Sequence, residues 1–374
     1  MKILTGIDAP FIPFGGSFLC CDDWYSNLPK DVEVRFLTLP PPPNQEKWWS
    51  IRNVIMLDIE KARTSEGFMD YVKKLKELIE EEIKDFKPDV IHCQHLNYGL
   101  SRAFAEIETT IPRIGICHGT DVQTATNSPF FKENLIKICD KMDLLLFPNQ
   151  SMADDFFMVY EKTRPYAINA LGIPDRFFDE GHSSPLMKVD RPLNLLYAGR
   201  LTPWKGADIA VESMYYIKKP AYLTVIGNED QMGYRQTMLD FVKMHNLQDR
   251  VKFEAQLPRE KLLARFADYD AIIFPSRRLE AFSLTVVEAQ AKGLPLIYFP
   301  GGGITDTVGD GGISLRENTP RSLAMTIEMV SAHPELLAKA QQAGYENAKA
   351  YKTSLSANNL FSISRKMLLH LRVN

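Results

Sequence analysis

Short apolar runs alternate with longer amphipathic segments along most of this chain. The apolar runs predict strands in two series: residues 2–7, 32–38, 89–93, 113–117, 143–147 and 166–169, then residues 193–197, 222–226, 251–254, 270–274 and 296–299. From Phe68 to Phe86, apolar residues recur at three- and four-residue steps and predict an amphipathic helix. Strands that alternate with helices favour parallel sheets with helices on both faces.

The two series of strands suggest two similarly built halves. Residues 143–148 (DLLLFP) match the pattern of residues 270–275 (DAIIFP), and both end a strand with proline, which cannot donate to a strand ladder. The polar residues 172–177 and 181–185, which contain glycine and proline, form the best linker candidate. After residue 319 the pattern predicts helices, with a break at 351–353. A length of 374 residues is typical of two domains, which we expect at residues 1–185 and 186–352, followed by a last helix at 353–374.

Charge and composition exclude several classes of function. The net charge is −3, from 44 basic and 47 acidic residues, so a nucleic-acid partner, which requires a basic domain or stripe, is not expected. No apolar run approaches the ~18 residues of a membrane span. The first six residues are too short for the apolar region of a signal peptide and predict a strand instead. The five cysteines are odd in number and lie in or beside apolar segments, as expected for reduced thiols of a cytosolic enzyme.

The most informative segment runs from residue 274 to residue 309. An apolar strand stops at Pro275, and Ser283, a typical N-cap residue, precedes an apolar run that predicts a helix. A strand that leads into a helix leaves free backbone N–H groups, which bind anions well. Glu280 lies before this helix and Glu288 inside it, where their carboxylates would repel phosphate and suit sugar hydroxyls. Phosphate-binding amides flanked by two carboxylates predict a sugar-nucleotide site.

Two cations follow the carboxyl end of the strand at residues 193–197. Arg200 offers a planar fork of donors and Lys205 offers a compact charge. Both would stabilise a diphosphate leaving group, which gains negative charge as its bond to the sugar breaks. The alternative is a surface arginine and lysine near a helix start, where the helix dipole disfavours cations.

These segments resemble the motifs of retaining glycosyltransferases of family 4. Glu280 and Glu288 resemble the E-x7-E signature, residues 288–295 (EAQAKGLP) its trailing segment, and residues 199–206 (GRLTPWKG) the G-R-L-x-x-x-K-G motif. Matches in the family's order extend from the Gly15-Gly16 pair through residues 118–121 (HGTD) and the Gly227 turn to residues 308–312 (VGDGG). Ser283 stands where the family usually has glycine, and residues 227–230 (GNED) depart from its usual G-x-G-P.

The resemblance implies an α/β fold of the GT-B type, with two Rossmann-like domains facing across a cleft. The N-terminal domain (residues 1–185) would bind the acceptor and the C-terminal domain (residues 186–352) the nucleotide sugar. The last helix (residues 353–374) would cross back to pack on the N-terminal domain. Such an enzyme is metal-independent and moves a hexose-type sugar, with retention, from a nucleotide diphosphate to a hydroxyl acceptor. It would need no cofactor besides its donor substrate, for which UDP-sugar is favoured and GDP-sugar comes second.

The same resemblance implies a role in polysaccharide or glycoconjugate synthesis, with a carbohydrate, lipid-linked or small-molecule acceptor. The expected location is cytoplasmic, and peripheral membrane contact stays open. Residues 40–43 (PPPP) with Trp48 and Trp49 form an unusual insertion whose aromatics suit an acceptor sugar, a membrane surface or a packed loop. Two other functions stay open: another sugar-nucleotide enzyme of this fold, such as an epimerase or phosphorylase, and a catalytically silent nucleotide-sugar-binding subunit.

The resemblance assigns roles to individual residues. The catalytic set comprises His118, Arg200, Lys205 and Glu280. The donor-binding set comprises Gly15, Gly16, Gly199, Arg200, Lys205, Gly227, Glu280, Phe282, Ser283, Leu284 and Glu288. His95 and Asp121 lie on the acceptor side, and Asp121 either caps the following turn or orients His118. The Gly15-Gly16 pair and residues 301–303 (GGG) are either phosphate-binding backbone or simple turns. His92 and His95 form an H-x-x-H, but they do not share a helical face and have no evident third ligand, so no metal is expected.

Overall fold

The computed structural model describes residues 1–10, 12, 15–43, 47–62, 65–178, 191–277 and 280–373. Its contacts divide the chain into two compact units. The first unit comprises Met1–Pro174 with Thr353–Asn374, and the second comprises Asp175–Lys352. The boundary expected at residues 185 and 186, and residues 181–185 of the expected linker, lie outside the described residues.

The first unit is built on a seven-stranded sheet whose strand pairs are all parallel. Its strands are β1 (Lys2–Pro10), β2 (Glu33–Leu39), β3 (Val54–Met56), β4 (Val90–Gln94), β5 (Arg113–Ile116), β6 (Leu144–Phe147) and β7 (Tyr166–Ile168). They are ordered β3-β2-β1-β4-β5-β6-β7. The chain therefore passes from β1 to β2 on one side and returns to place β4 on the other, which makes β1 and β4 the switch point of the sheet.

Helices connect these strands and bury one face each. They are α1 (Gly16–Ser26), α2 (Phe68–Phe86), α3 (Gly99–Glu106), α4 (Thr120–Asn127), α5 (Pro129–Cys139) and α6 (Gln150–Tyr160). The predicted amphipathic helix is confirmed as α2, in which Phe68, Val72, Leu75, Ile79 and Phe86 are buried. Its apolar stripe stabilises the helix by packing, since propensity alone supports an isolated helix only weakly.

The second unit repeats this plan with six parallel strands. Its strands are β8 (Leu193–Ala198), β9 (Ala221–Ile226), β10 (Val251–Glu254), β11 (Ala271–Phe274), β12 (Leu296–Tyr298) and β13 (Gly312–Ser314). Their order is β10-β9-β8-β11-β12-β13. The switch point of this sheet lies between β8 and β11, and ligands of open α/β sheets bind beside the carboxyl ends of the strands at such a point.

The helices of the second unit cover a core of buried apolar side chains that includes Leu195, Val225 and Ile297 of the strands. They are α7 (Ala207–Tyr216), α8 (Tyr234–Met244), α9 (Arg259–Arg265), α10 (Leu284–Ala291), α11 (Gly303–Val308), α12 (Pro320–Ala332) and α13 (Pro334–Ala348). Strands alternating with helices confirm the predicted α/β class. Among the described residues, no helix is both long and apolar enough to traverse a lipid bilayer.

The last helix, α14 (Thr353–Val373), belongs to the first unit, as the resemblance implied. Leu360 and Phe361 of α14 are fully buried. Its Ser356 hydroxyl accepts a 2.7 Å hydrogen bond from the indole N–H of Trp24 in α1. The final segment of the chain is therefore part of the core of the unit in which the chain begins.

The repeated DLLLFP and DAIIFP patterns have a shared structural cause. The strands were predicted to begin at Asp143 and Asp270, but β6 and β11 each begin one residue later. The Asp143 carboxylate instead accepts the backbone N–H of Arg113 at 2.8 Å, and that of Asp270 accepts the backbone N–H of Asn194 at 2.7 Å. Each aspartate thus satisfies an amide at the start of the neighbouring strand that would otherwise be unpaired.

Candidate active site

Lys205 and Glu280 meet at the switch point of the second unit. Lys205 ends a short 3-10 helix (Pro203–Lys205) that follows β8, and Glu280 follows β11, where it forms an isolated parallel bridge with Gly302. Lys205 Nζ lies 2.6 Å from Glu280 Oε1, and the two side chains are 19% and 10% exposed. The Ser276 hydroxyl donates to the same carboxylate oxygen at 2.8 Å. A cation and a carboxylate are therefore fixed together where a ligand of this sheet would bind.

Arg200 lies beside this pair on the indole ring of Trp204. The Arg200 guanidinium is 4.9 Å from the ring centroid, and Lys205 Nζ is 4.7 Å from it. Arg200 Nη1 also donates to Asp230 at 3.0 Å, but the side chain is 53% exposed. Because an exposed ion pair contributes little, Arg200 can exchange Asp230 for an anionic ligand at small cost.

Glu288 has a different partner from Glu280. It lies in α10 with its side chain 6% exposed, and its Oε1 accepts a 2.6 Å hydrogen bond from Nε of Arg259. The Arg259 guanidinium in turn lies 5.0 Å from the centroid of the Phe177 ring. Glu288 is therefore held as one half of a buried ion pair.

Ser283 occupies the N-cap position of α10, as predicted, with extended backbone at φ −131°. The serine is buried, and its side chain makes no capping hydrogen bond. Leu284 is the first residue of the helix, and the Phe282 ring lies edge-on to Tyr351 at 5.5 Å. The backbone N–H groups at the start of α10 are those predicted from the sequence to bind an anion.

Two glycines let the loops after the strands approach closely. A Cβ on Gly227, which follows β9, would lie 1.9 Å from the carbonyl oxygen of Gly199, which follows β8. Gly206 has φ +75°, and a Cβ there would lie 2.1 Å from the carbonyl oxygen of Pro275. Because real Cβ atoms do not come so close to backbone, glycine is needed at both positions for the loops to pack.

In the first unit, Gly15 is the N-cap of α1 and has φ +133°, and Gly16 is the first residue of that helix. They follow β1 at the switch point. Of the loop between them and β1, residues 11, 13 and 14 lie outside the described residues. The structure thus provides a helix start here, and a phosphate-binding role for this pair stays a prediction.

His118 follows β5 and bonds to its neighbours through both side chain and backbone. Its Nε2 lies 2.8 Å from Oε1 of Gln94, and its backbone N–H donates to Asp121 Oδ2 at 2.7 Å. Desolvation, assisted by the neighbouring His95, lowers the pKa of His118 to about 3. The imidazole is therefore neutral at physiological pH and can take part in hydrogen bonds without carrying charge.

His95 and Asp121 lie against His118. The His95 ring centroid is 4.5 Å from that of His118 and stacks on Tyr98 at 4.3 Å. Asp121 Oδ1 lies 3.3 Å from His95 Nδ1. Burial raises the pKa of Asp121, but the hydrogen bond and charge of His95 outweigh it and hold that pKa below its usual value. Asp121 therefore holds the backbone of His118 and the ring of His95.

The H-x-x-H pair is split between different environments. The His92 ring is fully buried, with Nδ1 2.9 Å from the Tyr25 hydroxyl and Nε2 3.0 Å from the Ser364 hydroxyl, whereas His95 faces Asp121. In the part of the chain that the structure describes, no three His, Cys, Asp or Glu side chains are grouped to hold a metal ion. Metal independence stays a prediction.

Sequence reasoning missed several residues that contact the predicted ones: Trp204, Ser276, Asp230, Arg259 and Gln94. Trp204 lies inside the GRLTPWKG segment, between the two cations, so its position was a usable signal. The other four give no signal because their partners are 4 to 30 residues away and meet them only through the fold.

Two family models of glycosyltransferases match most of this chain. Residues 11–149 match the model of the glycosyl transferase 4-like family, and residues 181–347 match that of the glycosyl transferases of group 1. Each half of the chain thus matches a glycosyltransferase model, and the pair supports a glycosyltransferase of the GT-B fold. The two matches together include every predicted site residue.

Three similar proteins illustrate how far the likeness extends. The chain is 27% identical over 182 residues to the D-inositol 3-phosphate glycosyltransferase of Nocardiopsis dassonvillei, and the match covers 46% of this chain and 42% of that protein. The chain thus spans less than half the length of this curated relative. Sucrose-phosphate synthase from Thermosynechococcus elongatus shares the fold with a TM-score of 0.84 at 18% identity, over 99% of both chains. HepE of Anabaena, solved with UDP-glucose, gives a TM-score of 0.79 at 17% identity, over 98% of this chain and 100% of HepE.

Proposed function

We propose that this protein is a retaining, metal-independent hexosyltransferase that moves a sugar from a nucleotide diphosphate, preferably UDP, to a hydroxyl acceptor. The observation that carries the proposal is the 2.6 Å contact between Lys205 and Glu280 at the switch point of the second sheet. A cation can bind the diphosphate and a carboxylate can accept hydrogen bonds from the sugar hydroxyls. One small region can therefore bind both parts of a nucleotide sugar.

The choice of donor has separate support. HepE, which has the same fold, was solved with UDP-glucose. In our proposal Lys205 and Arg200 neutralise the charge that develops on the diphosphate, and the amides at the start of α10 assist them. Glu280 then accepts hydrogen bonds from donor-sugar hydroxyls, and Glu288 accepts them from the ribose.

The acceptor is assigned to the first unit, where His95, Asp121 and His118 form one contact group. The relative from Nocardiopsis dassonvillei is named for an inositol phosphate, whose ring hydroxyls are acceptors of the class proposed here. Retention follows from a front-face displacement, in which the leaving phosphate helps to take the proton of the acceptor hydroxyl. This mechanism requires no covalent sugar–enzyme intermediate.

Transfer assays test this proposal. UDP- and GDP-hexoses are incubated with the protein, with and without mono-, oligosaccharide and polyol acceptors, while nucleotide release and the anomeric configuration of the product are followed by NMR. We expect acceptor-dependent release of UDP and a product with the anomeric configuration of the donor. Interconversion of the donor sugar without nucleotide release would instead indicate an epimerase, and binding without turnover a silent subunit.

Substitutions then test the site residues. Arg200→Ala and Glu280→Ala should each lower the transfer rate tens- to hundreds-fold, because each removes charge-assisted bonds of about 1.5–3 kcal/mol. Arg321→Ala and Glu335→Ala, at exposed positions of the same unit, are matched controls that should keep the full rate. Folded Arg200→Ala or Glu280→Ala protein with unchanged activity would refute these assignments.

A further inference from the structure

A continuous series of hydrogen bonds runs through the first unit from His118 to the last helix. It joins His118, Gln94, Tyr25, His92 and Ser364, which we call the His118 relay. Its successive contacts are His118 Nε2 to Gln94 Oε1 at 2.8 Å, Gln94 Nε2 to Tyr25 Oη at 2.8 Å, Tyr25 Oη to His92 Nδ1 at 2.9 Å and His92 Nε2 to Ser364 Oγ at 3.0 Å. The four members other than His118 are at most 1% exposed, so water does not compete for these bonds.

A backbone carbonyl fixes the proton direction at the far end of the relay. Ser364 Oγ donates to the carbonyl oxygen of Leu360, one turn earlier in α14, at 2.9 Å. A carbonyl can only accept, so this bond uses the single proton of the serine hydroxyl. His92 Nε2 must therefore carry the proton of its contact with Ser364. The other ring nitrogen of neutral His92 then accepts from the Tyr25 hydroxyl.

A second carbonyl fixes the orientation of the Gln94 amide independently. Thr5 Oγ1 donates to the carbonyl oxygen of His92 at 2.8 Å, which uses its only proton. The Gln94 group 3.2 Å from Thr5 Oγ1 must therefore be the NH₂, and the same NH₂ donates to Tyr25. The carbonyl oxygen of Gln94 is left to face His118. Both anchors, one on β1 and one on α14, impose the same direction along the relay.

We propose that Gln94 is a positioning residue that holds His118 as the neutral tautomer protonated on Nε2. His118 Nε2–H donates to Gln94, and Nδ1 is left as a hydrogen-bond acceptor. In this state the imidazole can accept a hydrogen bond from a substrate hydroxyl through Nδ1 but cannot donate one there. The low pKa of His118 is consistent with this state, because the ring takes up no second proton near neutral pH. The catalytic consequence rests on the proposed function, whereas the tautomer does not.

NMR of protein labelled with ¹⁵N-histidine tests the tautomer without any substrate. Two-bond correlations between ring protons and nitrogens distinguish the Nε2–H form from the Nδ1–H form, and His118→Gln and His92→Gln assign the signals by deletion. We expect the Nε2–H form for both histidines. An Nδ1–H form of His118 would overturn the proposal, because it requires the opposite orientation of Gln94.

Removal of the two anchors tests whether the relay is the cause. Thr5→Val and Ser364→Ala each delete one anchoring hydroxyl with little change of shape, and each alone should leave His118 protonated on Nε2. The double variant should let His118 sample both tautomers, seen as intermediate nitrogen shifts. An unchanged Nε2–H form in the folded double variant would show that the anchors do not set the tautomer and would overturn the inference.

Kinetics test the consequence for transfer. Gln94→Leu should lower kcat at least tenfold and change the KM for the donor less than threefold, because His118 keeps its place and loses its fixed tautomer. If Gln94→Leu does not fold, the double variant replaces it, with an expected two- to fivefold fall in kcat. Unchanged kcat in a variant with mixed tautomers would refute the positioning role. A confirmed Nε2–H tautomer in a protein that transfers no sugar would instead refute only the proposed function.

Discussion

Replacement of Lys205 by methionine tests the central contact of the site. Methionine has a similar length and can keep the apolar packing against the rings of Trp204 and Phe274, which lie 4.7 and 5.5 Å from Lys205 Nζ. The substitution therefore removes the charge with little change in shape. Glu280, whose side chain is 10% exposed, is left with the Ser276 hydroxyl as a donor to its Oε1.

The structure allows the size of the effect to be worked out. Two charges 2.6 Å apart attract by about 6 kcal/mol at an effective dielectric constant of about 20, and desolvation offsets much of this. Removal of one partner of a buried pair costs about 3–5 kcal/mol. Here Ser276 still donates to Glu280, and a hydrogen bond to a charged group contributes about 1.5–3 kcal/mol. We therefore expect Lys205→Met to lose about 2 kcal/mol of unfolding free energy.

Differential scanning calorimetry measures this loss. In a unit of this size, about 2 kcal/mol corresponds to a fall in Tm of roughly 4–8 °C. The double variant Lys205→Met with Glu280→Gln removes both charges of this pair and should have a free energy of unfolding within about 1 kcal/mol of the wild type. Lys219→Met, at an exposed position in the same unit, is the matched control and should change Tm by less than ~1 °C.

The result that would refute this reasoning is additivity. If the two single substitutions sum to the effect of the double variant, within the ~0.5 kcal/mol of independent sites, then Lys205 and Glu280 do not interact. The structural basis of the proposed donor site would then be lost, whatever the activity of the variants.

Three further predictions concern stability. Gly227→Ala should cost about 1–3 kcal/mol and lower Tm, since its Cβ would lie 1.9 Å from the Gly199 carbonyl oxygen. Burial lowers the pKa of His92 and His118 to about 3, so their contribution to stability is complete above the unfolded-state pKa near 6.5. Below pH 6.5 the free energy of unfolding should fall by up to about 1.4 kcal/mol per pH unit for each histidine. Measurement of Tm from pH 7.5 to pH 5.5 tests this. Asp270→Ala should lower the free energy of unfolding by about 1–3 kcal/mol in denaturant titration, since it leaves the half-buried amide of Asn194 without its acceptor.

Each has a matched control. Gly199→Ala places its Cβ no closer than 3.5 Å to other atoms and should cost little, so equal losses at Gly199 and Gly227 would contradict the packing explanation. His118→Gln should reduce the fall of Tm with decreasing pH, whereas His333→Gln, at an exposed position, should leave it unchanged. Identical slopes of Tm against pH for the two variants would contradict the role given to His118. Exposed Asp249→Ala should be neutral, and a neutral Asp270→Ala would refute the role given to Asp270.

The sequence was sufficient for most strands and insufficient for two of them. Parallel strands covered on both faces are continuous apolar runs, so those of both sheets are visible without the structure. β3 and β13, two three-residue strands at the edges of their sheets, were missed, although the equally short edge strand β7 was predicted. The starts of β6 and β11 were misplaced because Asp143 and Asp270 pair through their side chains.

The candidate site was predictable as positions after strands, but its pairings were not. Lys205 and Glu280 are separated by 75 positions, and their contact depends on β8 and β11 being neighbours. Arg259 carries no motif that points to Glu288. Gln94 acquires its contact with His118 because β4 lies beside β5 in the sheet.

Isothermal titration calorimetry with UDP and UMP tests the central claim most directly. If Lys205 binds the β-phosphate, which UMP lacks, UDP should bind the wild type at least tenfold more tightly than UMP, a difference of about 1.4 kcal/mol in binding free energy. Lys205→Met should then weaken UDP tenfold or more and leave the affinity for UMP within about threefold. A Lys205→Met protein that is folded and binds UDP with the Kd of the wild type would contradict the account.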